Sequence, residues 1–122
     1  LQNFYGHTFA LLNQLKSQIM LDTINQFFGF TKTDYADLVK KGAIILDVRS
    51  KGEFAGGHVK NAINIPVDQL LNNLSRLKDK NKTIITCCAS GMRSGSAKTL
   101  LMKNGYTDVH NGGGWMSLNE KI

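Results

Sequence analysis

Carboxylates are scarce in this chain: nine Asp and Glu stand against fifteen Lys and Arg among 122 residues, for a net charge of +6 at pH 7. The cations are spread out and never form a Lys/Arg run. A solvated surface therefore explains them better than a nucleic-acid interface, and no nucleic-acid partner is expected. No apolar run approaches the roughly 18 residues of a membrane span. There is one proline, Pro66, and no repeat or linker segment. The only two cysteines, Cys87 and Cys88, are neighbours. A disulfide between neighbours would be strained and would close no loop, so a disulfide framework is excluded. With three scattered histidines they also fall short of the soft ligand set a metal site needs. The thiols are then either buried core atoms or reactive ones.

Free thiols favour a reducing compartment, and a cytoplasmic location is the expectation. Residues 1–20 lack the basic start and long apolar centre of a signal peptide, because Asn13, Gln14 and Lys16 interrupt them. The chain opens at Leu1, as a fragment or a processed product does; a leader already removed, as for a periplasmic protein, is the alternative.

The rest of the composition, 42% hydrophobic and 20% charged, is ordinary for one globular domain with a real core. Residues 7–28 place Ala10–Leu11, Leu15, Ile19 and Thr23–Ile24 near helical spacing, which predicts an amphipathic N-terminal helix stopped by Gly29. Residues 1–29 are read as a helical extension and 30–122 as the domain. Thr31 or Thr33 is placed to cap a short helix ending at Gly42. "AIILDV", residues 43–48, and "KTIITC", residues 82–87, are apolar, β-branched and too short for helices, as expected of buried parallel strands. "INIP" at 63–66 and "TDVHN" at 107–111 predict shorter strands. "DQLLNNLSRL" predicts a helix with Leu70–Leu71, Leu74 and Leu77 on one face, and residues 94–105 another. "GGGW" reads as a loop entering a final turn around Trp115. Strands alternating with helices mean βαβ units and a parallel sheet, with ligands beyond the carboxyl ends of the strands.

"CCASGMR" lies in that position, between a strand and a helix. A loop curling from strand to helix turns backbone N–H groups inward, and the helix dipole adds partial positive charge. Gly91 permits the shape, Ser90 and Ser94 offer hydroxyls, and Arg93 offers either an anion-binding fork or a structural ion pair. From Lys80 to Tyr106 there are five Lys or Arg and no Asp or Glu. A cysteine at the mouth of such a loop should be partly thiolate at neutral pH. Cys87 continues the buried strand and is read as a core thiol; Cys88 is read as the nucleophile.

Cys88-Ala89-Ser90-Gly91-Met92-Arg93-Ser94 resembles the C-x-x-G-x-R-S active-site loop of rhodanese domains. "ILDVRSKGEFAGGHVKNAINIP", Ile45 to Pro66, and "GYTDVHNGGGW", residues 105–115, are similar to two further blocks of that family, in the right order. The resemblance covers roughly residues 30–118. It implies an α/β fold with a central, mostly parallel five-stranded sheet flanked by helices. It also implies a sulfurtransferase: Cys88 takes the outer sulfur of a small anionic donor such as thiosulfate and passes the persulfide sulfur to cyanide, a thiol or a protein acceptor. No metal or organic cofactor is required. Residues Ala89 to Ser94 would bind the donor. The family's loop often carries a cation directly after the cysteine; here Ala89 stands there, which leaves Arg93 and the backbone for the anion. Asp47, Arg49 and Glu53 resemble the family's charged scaffold, and Asp47 and Glu53 are read as structural partners, one of them to Arg93, rather than as acid–base catalysts. His58 is read as a hydrogen-bonded scaffold residue and Trp115 as a residue that packs or lines the pocket rim, while His7 and His110 carry no signal.

Two other readings exist. Counted from Cys87 the loop spells C-x5-R, as in phosphatases that share this fold. That reading would pull a buried strand residue into the loop and misplace Gly91. A non-catalytic partner-binding module would use the same fold, but such modules usually lose the cysteine that this chain keeps.

Overall fold

The apolar runs around Ile45 and Ile85 become the two central strands of a sheet. In chain order the strands are β1 (Ile44–Asp47), β2 (Ile63–Asn64), β3 (Ile84–Cys88) and β4 (Val109–Gly114). The computed structural model describes residues 32–122 together with Asn13, Gln14 and Lys16. The chain divides into two compact units, Leu1–Thr33 and Asp34–Ile122. In the first, Asn13, Gln14 and Lys16 are helical and exposed, and the remainder of the expected 7–28 helix lies outside the described residues. In the second, the sheet runs β2-β1-β3-β4 with every neighbouring pair parallel. It has four strands among the described residues, not the five that the resemblance implied. From Asp34 onward the chain has only four runs that extend, and each is one the apolar pattern marks.

Four α-helices accompany the sheet: α1 (Tyr35–Lys40), α2 (Lys51–Ala55), α3 (Met92–Lys103) and α4 (Trp115–Lys121). Several differ from the sequence reading for local reasons. α1 is capped by Asp34, whose carboxylate accepts the Asp37 N–H at 3.0 Å, rather than by Thr31 or Thr33. Residues 67–76 form two 3₁₀ turns, Val67–Gln69 and Leu71–Arg76, instead of one helix. Asn73 breaks the helical path (φ −125°) while its side chain donates to the Gln69 carbonyl at 2.8 Å. This is the local side-chain competition that makes Asn a poor interior helix residue. The four leucines therefore do not share a face: Leu70 and Leu77 are buried and Leu71 is 53% exposed. Gly112–Gly114 is strand rather than loop, since the pairing of β3 with β4 runs on to Cys88 opposite Gly114. α2, unanticipated, is held by a full capping box between Ser50 and Glu53.

Because both faces of the sheet are covered, successive strand residues enter different cores. Leu46, Val48, Ile84 and Cys88 pack with Ala97 and Leu101 of α3, while Ile45, Ile85 and Cys87 pack with Leu118 of α4. This two-core arrangement explains why the strands read as unbroken apolar runs.

β4 lies so close to β3 that a Cβ on Gly112 would sit 2.8 Å from both Ile85 Cγ2 and the Thr86 carbonyl oxygen. Gly112→Ala must therefore spread the two strands that carry the site. We expect it to lower unfolding stability by about 1–3 kcal/mol in chemical denaturation, the usual range for overpacking. Unchanged stability would contradict the close approach.

Candidate active site

β3 ends at Cys88, one residue later than the sequence reading placed it, so both cysteines are strand residues. Their side chains part to opposite faces. Cys87 is fully buried beside Ile85, Val59 and Leu118. That burial, with the negative charge of Asp47 nearby, pushes its thiol up to about 12. Cys87 is a core residue.

Cys88 is also almost fully buried, at 1% exposure, yet its sulfur meets the loop that follows. The Gly91 N–H donates to Cys88 Sγ at 3.0 Å, and Ser94 Oγ lies 3.3 Å away. Burial alone pushes this thiol up. The Ser94 side chain and the backbone N–H groups of Ser94, Gly91 and Ser90 outweigh it, so the net shift is downward. Gly91 makes the turn: its φ of 109° is left-handed, a conformation a residue with a side chain resists, and it stands as the N-cap of α3. The helix N-terminus thus opens next to Cys88 and adds its dipole. Ala89 and Ser90 are exposed, Met92 is 83% exposed, and Ser94 is buried.

The charged residues around the loop are paired. Arg93 grips Glu53 with two hydrogen bonds, of 2.7 and 3.0 Å, across 40 residues of sequence. Arg93 thus forms an ion pair of the kind the sequence left open for it beside an anion-binding fork. The Arg93 guanidinium, with the Ser50 N–H behind it, holds the Glu53 carboxyl down to about 2. Arg49 donates to Asp47 at 2.7 Å and to the Gly57 carbonyl at 2.7 Å, both side chains being buried. Its guanidinium lies 4.7 Å from the centre of the Trp115 ring. His58 stacks on Phe54 with ring centres 3.8 Å apart and donates from Nδ1 to the Phe54 carbonyl at 2.8 Å. His110 pairs with Asp108 at 2.8 Å, and His7 lies outside the described residues.

One polar residue of the site was not read from the sequence. The Asn111 carboxamide accepts from Ser94 Oγ at 2.7 Å and from the Gly113 N–H at 3.0 Å, and donates to the Gly91 carbonyl at 3.2 Å. Its only sequence signal was a place within "TDVHNGGGW". What results chemically is a thiol met by backbone N–H groups and the Ser94 hydroxyl, with the adjacent arginines engaged by carboxylates. An anion at Cys88 is thus met by N–H groups and a helix terminus more than by side-chain cations.

A family model described as "Rhodanese-like domain" matches residues 31–121. Thiosulfate sulfurtransferase PspE of Escherichia coli is 40% identical over 70 residues, which cover 57% of this chain and 67% of that protein. A solved structure described as "rhodanese with anions from E. coli" superposes with a TM-score of 0.59 at 36% identity, covering 62% of this chain and 91% of that one. Human single-domain sulfurtransferase TSTD1 gives a TM-score of 0.63 at 29% identity, covering 71% and 90%. The chain spans 64% of the Bacillus subtilis protein YqhL and 25% of phytoplasma tRNA uridine(34) hydroxylase.

The Arg93–Glu53 pair has a pH signature. Glu53 has a depressed carboxyl, so its contribution to stability is fully present above about 4.5 and is lost as pH falls toward about 2. The stability difference between the native chain and Glu53→Gln should therefore be constant above pH 4.5 and shrink below it. In a carboxylate NMR titration, Arg93→Ala should return Glu53 toward its ordinary value of 4.5. A Glu53 titration unmoved by Arg93→Ala would contradict the pairing.

Proposed function

The chain belongs to the rhodanese-like domain family, and on that basis we propose that it is a sulfurtransferase whose Cys88 carries a sulfane sulfur between an anionic donor and a thiophilic acceptor. The observation that supports this reading most directly is the convergence of the Gly91 N–H and Ser94 on Cys88 Sγ, at the point where β3 stops and α3 begins. The relatives named thiosulfate sulfurtransferase and single-domain sulfurtransferase point the same way.

In the first half-reaction the Cys88 thiolate attacks the outer sulfur of a thiosulfate-like donor. A bond from Sγ to that sulfur forms, the donor's S–S bond breaks, and sulfite leaves with the bonding electron pair. The persulfide's terminal sulfur then holds the negative charge, and the loop N–H groups are the donors available to it. In the second half-reaction cyanide or a thiolate attacks the terminal sulfur, the Sγ–S bond breaks, and Cys88 returns as thiolate. Little proton transfer is needed, which fits a site whose carboxylates, Asp47 and Glu53, are both engaged by arginines. With Arg93 held by Glu53, the donor anion is bound chiefly by the backbone. A phosphatase centred on Cys87 lacks support: that thiol faces the opposite core and is strongly disfavoured as an anion.

Thiosulfate should add one sulfur atom to the protein by intact mass, and cyanide should remove it as thiocyanate. Cys88→Ser should abolish both steps, and Cys87→Ser should keep most of both. Loss of sulfur loading in Cys87→Ser with retention in Cys88→Ser would overturn the assignment. Phosphate-ester hydrolysis without sulfur loading would replace the reading altogether.

A further inference from the structure

We propose that Asn111 is a positioning residue that draws the Ser94 hydroxyl proton away from Cys88 and so restrains ionisation of the site thiol. The inference rests on Cys88 being the sulfur-carrying residue. Its basis is a count of protons against acceptors around one buried hydroxyl.

Ser94 Oγ has three neighbours that can take its single proton: Asn111 Oδ1 at 2.7 Å, the Gly91 carbonyl at 3.0 Å and Cys88 Sγ at 3.3 Å. Asn111 Oδ1 is the nearest. Its carboxamide is not free to turn. Oδ1 also accepts the Gly113 N–H at 3.0 Å, and Nδ2 donates to the Gly91 carbonyl at 3.2 Å. Reversing the amide would set an NH₂ against an N–H and a carbonyl against a carbonyl. The Asn111 backbone is held too, its carbonyl accepting from Tyr35 Oη at 3.0 Å. The register shift between β3 and β4 falls directly after the Thr86–Asn111 pair. That shift is the kind of bulge that re-aims a side chain beside a functional site.

The two protonation states of Cys88 use this network differently. As a thiol, Cys88 donates to Ser94 Oγ, Ser94 donates to Asn111, and every polar atom is matched. As a thiolate, Cys88 needs donors beyond the backbone N–H groups, and the Ser94 hydroxyl can supply one only by turning its proton from Asn111 to the sulfur. The Ser94 lone pairs then face an amide oxygen at 2.7 Å. Asn111 therefore favours the thiol over the thiolate, while the loop N–H groups favour the thiolate. Once the sulfur is bonded to a sulfane sulfur, the charge moves to the terminal atom and the Ser94 proton is again free for Asn111. The loaded cysteine escapes the restraint that acts on the empty one.

The test titrates the Cys88 thiol in a Cys87→Ser background, from the pH dependence of its alkylation by iodoacetamide. Asn111→Ala should lower the thiol's midpoint by roughly 0.5–1 unit, about a three- to tenfold gain in thiolate below the midpoint, the size expected for one redirected hydrogen bond. Asn111→Asp, which keeps the acceptor and adds negative charge, should raise it. In a Ser94→Ala background Asn111→Ala should leave the midpoint where it is, because no hydroxyl remains to redirect. If Asn111 served only to hold the loop, its loss would loosen the Gly91 donor and raise the midpoint or leave it unchanged; either result overturns the proposal. A fall that persists without the Ser94 hydroxyl overturns it equally. The readout needs no sulfur donor, so a failure of persulfide chemistry and a failure of this proposal are separate outcomes.

Discussion

A thiolate at the end of a buried strand is an anion in an apolar setting, and it can form only where donors close around it. In this chain the closure is made by the short segment from Cys88 to Ser94. Cys88 ends β3, Gly91 takes a left-handed turn and offers its N–H to the sulfur, and α3 begins at the next residue. Much of the surrounding structure serves to hold that turn in place. The parallel pairing of β3 with β1 and β4 fixes where the strand stops. The packing of Ala97 and Leu101 against Leu46 and Ile84 fixes where the helix starts. A change of about 1 Å in either would separate sulfur from donor, since hydrogen bonds weaken steeply beyond their ordinary range.

The charged residues act on this centre indirectly. Asp47 leaves β1 at the same edge, where it is fully buried and engaged by Arg49, which in turn reaches Gly57 and lies over Trp115. A buried pair of this kind is weak evidence for added stability, but removing one partner would strand the other's charge. Glu53, ordered by its own capping box with Ser50, reaches across to Arg93 on the first turn of α3. Arg49 and Arg93 are thus both engaged by carboxylates, and on the proposed reading, with Ala89 directly after Cys88, the backbone is the principal anion-binding element. This arrangement suits the proposed cycle, in which the Cys88 thiolate is consumed on bonding to a sulfur and regenerated when that sulfur leaves.

What was readable in the sequence followed from periodicity and from spacing. The unbroken runs around Ile45 and Ile85 specify strands buried on both faces, and their separation by helical stretches specifies parallel pairing. The turn chemistry of Gly91, and the difference between Cys87 and Cys88, could be argued from position alone. Other features depend on partners distant in the chain. Nothing local in Arg93 says that it will meet Glu53 rather than a ligand, and nothing in Asn111 says that a bulge will bring it to Ser94. Asn73 defeated the helix expected over residues 68–77 through a side-chain bond that propensity does not foresee. The Ser50-x-x-Glu53 box was the reverse case, a local signal present in the sequence that specifies α2 and that the periodicity of apolar residues does not show.

The most direct measurement is a crystal structure of the protein after loading with thiosulfate, with the sulfur positions located by anomalous scattering. The expected result is a second sulfur bonded to Cys88 Sγ, lying within hydrogen-bond distance of the backbone N–H groups of the 89–94 loop, with Arg93 still on Glu53. A sulfane sulfur on Cys87, or a donor anion held by an Arg93 released from Glu53, would contradict a site that carries sulfur on Cys88 and binds charge through its backbone.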